Sequence, residues 1–133
     1  LYPKQISVTI GYNEALAHQI EAGVDIFLMP SRFEPCGLNQ MYSQRYGTIP
    51  IVRATGGLAD TIEDALPKSL ANNTASGISF KQASAGAFLE AIKRAMLLYN
   101  DKKTWKKIQT TAMEKDFSWK NSAEQYLALY EEI

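Results

Sequence analysis

Three short segments carry residues that could surround an anion or a set of sugar hydroxyls: Gly11-Tyr12-Asn13-Glu14, Ser31 to Leu38 (SRFEPCGL) and Thr55-Gly56-Gly57-Leu58. Glycine just ahead of a helix start lets the backbone turn sharply and leaves N–H groups free at the positive end of the helix dipole. One such turn on its own also serves as a plain helix entry. Three on one edge of a sheet describe a site, because ligands of open parallel sheets bind outside the carboxyl ends of the strands.

The elements needed to align these turns are legible. Ile6 to Ile10 (ISVTI) and Ile49 to Arg53 read as β-branched strands, and Asp25 to Met29 reads as a continuously apolar, buried one ended by Pro30. Asn13 stands at an N-cap position, Gly23 closes the helix that follows, and Leu38, Met41, Tyr42 and Arg45 keep helical spacing until Gly47. A helix over Leu58 to Ala65, a loop over Pro67 to Ser76 and a strand over Gly77 to Phe80 come next. Ala85, Phe88, Leu89, Ile92, Ala95, Met96 and Tyr99 form the stripe of a helix packed on a core, and two more helices follow, through Trp105, Ile108 and Ala112 and through Ala123 to Tyr130. This alternation predicts an α/β fold, a Rossmann-like parallel sheet with flanking helices and C-terminal helices beyond it.

Composition narrows the chemistry. The 133 residues suit one domain or a piece of one, and 14 basic against 14 acidic residues give no overall pull toward nucleic acid or an anionic membrane. The one cysteine, Cys36, allows no internal disulfide, and the one histidine, His18, allows no multi-histidine metal centre. No metal or cofactor is expected. No apolar run approaches the roughly 20 residues of a bilayer span and the first residues lack signal-peptide order, so a cytoplasmic location is expected. The cluster Lys102, Lys103, Lys106 and Lys107 reads as a solvated face, and His18 as a structural residue.

The runs Ile10-Gly11-Tyr12-Asn13-Glu14, Pro30-Ser31-Arg32-Phe33-Glu34-Pro35-Cys36-Gly37-Leu38-Asn39-Gln40, Arg45-Tyr46-Gly47-Thr48 and Arg53-Ala54-Thr55-Gly56-Gly57-Leu58-Ala59-Asp60-Thr61 together resemble the C-terminal domain of bacterial glycogen (starch) synthases, glycosyltransferase family 5. The resemblance extends through Asp116-Phe117-Ser118-Trp119 to the last helix, so that residues 1–133 would form part of the nucleotide-sugar-binding domain of a GT-B enzyme, with 116–133 its C-terminal helical segment. It implies transfer of glucose from ADP-glucose to the non-reducing end of an α-1,4-glucan with retention, the departing ADP oxygen helping to deprotonate the acceptor hydroxyl. It implies Glu34 as the active-site carboxylate beside the donor glucose. Cys36, Gly37 and Leu38 would hold glucose hydroxyls through backbone N–H groups, Tyr12 would stack on adenine, and Thr55, Gly56 and Gly57 would face the diphosphate. Where many related transferases carry a second Glu for the ribose, this sequence has Tyr42, a substitution shared with family 5 that makes Tyr42 the candidate ribose contact.

In the family, an Arg and a Lys in the earlier half of the domain neutralise the leaving diphosphate, and most acceptor contacts come from the other domain. Neither segment is in this sequence, so the isolated chain is expected to be inactive. The usual strand order 3-2-1-4-5-6 would leave a gap of roughly 10 Å beside Ile6 to Ile10. That strand is therefore expected to pair with Asp25 to Met29 in a new arrangement, or two chains to associate through their edges. Another ADP- or UDP-sugar transferase of the same fold and a non-catalytic nucleotide-sugar or glucan module are the competing readings.

Overall fold

The computed structural model describes residues 2–132. Its sheet has three parallel strands in the order β1 (Ile26–Met29), β2 (Ile49–Arg53), β3 (Ile78–Phe80), with Ile26 opposite Ile49 and Ile51 opposite Ile78. Every connection is a crossover through helix: α2 (Asn39–Tyr46) joins β1 to β2, and α3 (Gly57–Thr61) with α4 (Pro67–Asn72) joins β2 to β3. The first helix, α1 (Glu14–Gly23), precedes the sheet, and α5 (Ala85–Asn100), α6 (Lys102–Glu114) and α7 (Trp119–Glu131) follow it. This is the expected α/β architecture.

The central strand explains the layering. Successive side chains of a strand point to opposite faces, and Ile49, Ile51 and Val52 are all fully buried, so both faces of β2 are covered. Ile49, Ile51, Ile78 and Phe80 pack with Ala91 and Ala95 of α5 and Trp105, Ile108 and Ala112 of α6. Val52 packs on the other face with Leu58, Ile62 and Met29. Asp64 ties the layers together: one carboxylate oxygen accepts from the Ser79 N–H at 2.8 Å and from Arg94 at 2.5 Å, and Arg94 also donates to the Ser79 carbonyl at 3.0 Å. Asn13 caps α1 as expected, accepting from Leu16 N at 2.9 Å, and Ser84 caps α5, accepting from Ala87 N at 3.2 Å.

Three expectations are corrected. Ile6 to Ile10 form no strand: β1 pairs with β2 alone, and Ile6, Val8 and Ile10 are 61%, 77% and 95% exposed. β-branched sequence favours extended backbone but cannot supply the hydrogen-bonding partner a ladder needs, and the pairing with Asp25 to Met29 expected above is not formed. The helix expected over Leu58 to Ala65 stops at Thr61, because Ile62 turns extended and residues 63–65 run beside Ser76 and Gly77, with an Asp64–Gly77 bridge and the Ala65 N–H bonded to Gly77 O at 2.8 Å. The loop expected over Pro67 to Ser76 contains α4. Pro67 occupies its first turn, Ser69 Oγ accepts from Leu66 N at 2.9 Å, and Asn73 is its left-handed C-cap at φ 55°.

His18 is structural. Its Nδ1 lies 3.2 Å from the Tyr46 hydroxyl and its ring 5.2 Å from that of Tyr42, joining α1 to α2. Within the lysine cluster, Lys102 sits 3.3 Å over the Tyr99 ring, and Tyr99 meets Trp105 edge-on at 5.3 Å. Glu21 is 4% exposed with one carboxylate oxygen unpaired, and burial raises its pKa above the ordinary 4.5 against a smaller opposing pull from His18. The folded state thus holds that proton more tightly than the unfolded chain, and stability falls as pH rises past 4.5. Glu21→Gln is expected to raise Tm at pH 7 and to leave it unchanged below the ordinary carboxyl range; equal Tm values for the two proteins in a pH 7 melt would refute this.

Helix α7 has no buried side chain, and Trp119 at its start is 86% exposed, while Trp105 in α6 is 3% exposed. No helix of the described residues is long and apolar enough to cross a membrane.

Candidate functional site

Two of the three predicted turns are locked together at the carboxyl ends of β1 and β2. The Gly57 N–H donates to Pro35 O at 3.1 Å. The backbones approach so closely that a Cβ on Gly56 would lie 2.0 Å from Glu34 O, and one on Gly57 would lie 2.1 Å from Cys36 O. Gly56 also has φ 46° and ψ −138°, which side-chain-bearing residues rarely adopt. The glycine pair is therefore required by contact between the turns as well as by the start of α3.

Glu34 is half-buried in this junction, and its Oε2 accepts from the Ser31 hydroxyl at 3.2 Å. Its loop is fastened from beneath by Arg53 at the end of β2, which donates from Nε to Ser31 O at 2.9 Å, from a terminal nitrogen to Arg32 O, and from the other to Lys81 O at 3.4 Å. A flat guanidinium with donors on three sides suits one residue to join two loops. A cavity of about 180 Å³ opens beside it, bordered by Pro30, Arg32, Phe80, Ser84 and Phe88.

The segment after Glu34 leads into α2 without a side-chain cap, so the first N–H groups of that helix are not taken by a capping side chain. Cys36 and Leu38 are exposed, and Gly37 turns at φ 73°. Tyr42, one turn into α2, is 39% exposed and borders with Leu38 a cavity of about 530 Å³ between α2 and the α6–α7 connection. Thr55 is half-buried, and its carbonyl accepts from Leu58 N at 3.2 Å.

The structure thus brings together Glu34, Cys36, Gly37, Gly56 and Gly57. Tyr12 is not drawn into this junction by any described contact: it is 93% exposed, and α1 meets α2 through His18 instead. Sequence reasoning assigned no role to Ser31, Arg53, Gln40 or Thr61, whose side chains build the junction. Arg53 carried a weak signal, as a charged residue closing an otherwise buried strand. Among the described residues no three His, Cys, Asp or Glu side chains cluster as metal ligands would.

Residues 3–112 match the family model described as glycosyl transferases group 1. The chain is 62% identical over 130 residues to glycogen synthase 1 of Methylococcus capsulatus and 58% identical over 132 residues to the glycogen synthase of Thioalkalivibrio sulfidiphilus. These alignments take in 98% and 99% of the chain but 26% and 27% of the relatives, so the chain spans about a quarter of their length. Among solved structures, the catalytic domain of starch synthase IV from Arabidopsis thaliana, bound to ADP and acarbose, matches 92% of the chain and 25% of its own, at a TM-score of 0.80 and 42% identity. The resemblance carried by the motifs is borne out, and the chain belongs to the group 1 glycosyl transferases.

Proposed function

We propose that these residues are the donor-gripping part of a cytoplasmic glycogen or starch synthase, an enzyme that moves glucose from ADP-glucose to an α-1,4-glucan with retention. The observation that carries this is the junction of the Glu34 loop and the Gly56-Gly57 turn. One half-buried carboxylate and two glycine turns lie together at a sheet edge where helix starts point their N–H groups. The solved starch synthase that shares this fold was bound to ADP, which supports an adenine nucleotide as the ligand.

In this reading Glu34 faces the donor glucose, Cys36, Gly37 and Leu38 hold its hydroxyls, and Thr55, Gly56 and Gly57 face the diphosphate. Tyr12 offers a free ring face to the adenine, and Tyr42 reaches the ribose. Residues 116–133 form the C-terminal helical segment of the domain, the acceptor glucan is held mostly by protein outside these residues, and the chain alone does not elongate glucan. Titration with ADP, ADP-glucose, UDP-glucose and a maltooligosaccharide tests the assignment. ADP and ADP-glucose should bind, the bare glucan should not, and silence toward both adenine nucleotides would remove the proposal. The free edge of β1 leaves two copies able to pair, which light scattering during the same titration reads directly.

A further inference from the structure

Gln40, in the first turn of α2, is fully buried. Its Nε2 lies 3.1 Å from Cys36 O, 3.0 Å from Gly37 O and 3.2 Å from Thr61 Oγ1. Thr61 in turn donates to Gly57 O at 2.5 Å, so one buried amide links the loop that carries Glu34 to the helix entered through Gly56 and Gly57. Two carbonyl acceptors fix which end of the amide is the NH2 group. The other end, Oε1, has no partner among the described residues and lies 2.5 Å from where a Cβ on Gly37 would be, so a side chain at Gly37 would push the Gln40 amide out of place.

The consequence follows from the peptide plane. In a trans peptide the C=O and the next residue's N–H point in opposite directions, and no described peptide here is cis. Drawing the carbonyls of Cys36 and Gly37 inward onto Gln40 turns the N–H groups of Gly37 and Leu38 away from the core. Among the described residues no backbone acceptor takes either one. We propose that Gln40 is the positioning residue of the donor site: its side-chain amide, touching no ligand, aims the Gly37 and Leu38 N–H groups at the sugar. The sugar is the ligand given under the proposed function, on which this inference rests.

Gln44 supplies the control. It is equally buried on the same helix, and among the described residues its Nε2 donates only to the backbone carbonyl of Gln40, at 3.1 Å. Gln40→Met and Gln44→Met both remove a buried amide at nearly constant shape, but only the first releases the loop. In the 15N-labelled chain, Gly37 and Leu38 amides should be as rigid as those of α2 in the unsubstituted protein and in Gln44→Met, and mobile on the nanosecond timescale in Gln40→Met. The Kd for ADP-glucose should rise about tenfold in Gln40→Met, the loss of well-aimed hydrogen bonds to the sugar, with a smaller change for ADP, whereas Gln44→Met should leave the ratio of the two unchanged.

If Gln40→Met alters amide mobility and the ADP-glucose to ADP ratio no more than Gln44→Met does, the inference is overturned. Should Gln40→Met not fold, Gln40→Asn draws the same amide back from the two carbonyls and must still loosen the Gly37 amide, or the inference fails. Absence of nucleotide binding by the unsubstituted chain would count against the functional reading alone, since the mobility comparison needs no ligand.

Discussion

Gly56→Ala is expected to lower Tm by 10 °C or more, on the order of 3–5 kcal/mol for strain plus overlap. The Cβ would lie 2.0 Å from Glu34 O and within 3.2 Å of Pro35 O, both backbone atoms that no rotamer change can move aside. The backbone at φ 46° adds strain of its own. Relief requires the Glu34 loop to lift off the turn, so adenine-nucleotide binding should be lost together with stability. Gly86→Ala is the matched comparison: nothing lies within 4 Å of its Cβ position in the first turn of α5, and alanine there should be neutral or stabilising by up to about 1 kcal/mol. Melting curves decide, and a Gly56→Ala protein as stable as Gly86→Ala would show that the two turns are not in contact.

Glu34→Gln, made in the full-length synthase to which these residues are assigned, is expected to cut kcat by about 10²- to 10³-fold with a small change in KM for ADP-glucose. The swap preserves shape and the hydrogen bond from Ser31 but removes the negative charge. Two unit charges 4 Å apart interact by about 4 kcal/mol at an effective dielectric of about 20, which suits a half-buried carboxylate. That attraction grows as positive charge develops at the anomeric carbon, so it acts on the transition state more than on bound substrate. A kcat within threefold of the unsubstituted enzyme, with folding intact, would take Glu34 out of the reaction and return it to a loop-holding role through Ser31.

The parts of this fold visible in the sequence are those whose signal is local. Ile49 to Arg53 is a strand by composition and a strand in space, and Phe88, Ile92, Ala95 and Tyr99 of the α5 stripe pack on the core as a 3.6-residue period requires, whereas Leu89 and Met96, read as part of the same stripe, lie at its margin, 50% and 48% exposed. Ile6 to Ile10 misled because strand formation is a property of pairs and this segment has no described neighbour. Residues 62–65 misled because helical propensity lost to ladder contacts with residues 76 and 77, distant in sequence. The site divides in the same way. Glycines and Glu34 were legible from motif and position, but the polar side chains that hold them, buried Gln40 and half-buried Arg53, act across 21 and 22 residues of chain to Thr61 and Ser31. No periodicity marks a glutamine whose partners are carbonyls in a turn.

The chain has two tryptophans, and their surroundings differ as far as two indoles can: Trp105 is 3% exposed and Trp119 is 86% exposed. Their emission therefore separates into a blue component sensing the sheet and its covering helices and a red component open to quenchers such as acrylamide. Loss of the blue component on heating follows melting of the interior, and a blue shift of the red one registers any body that comes to cover α7.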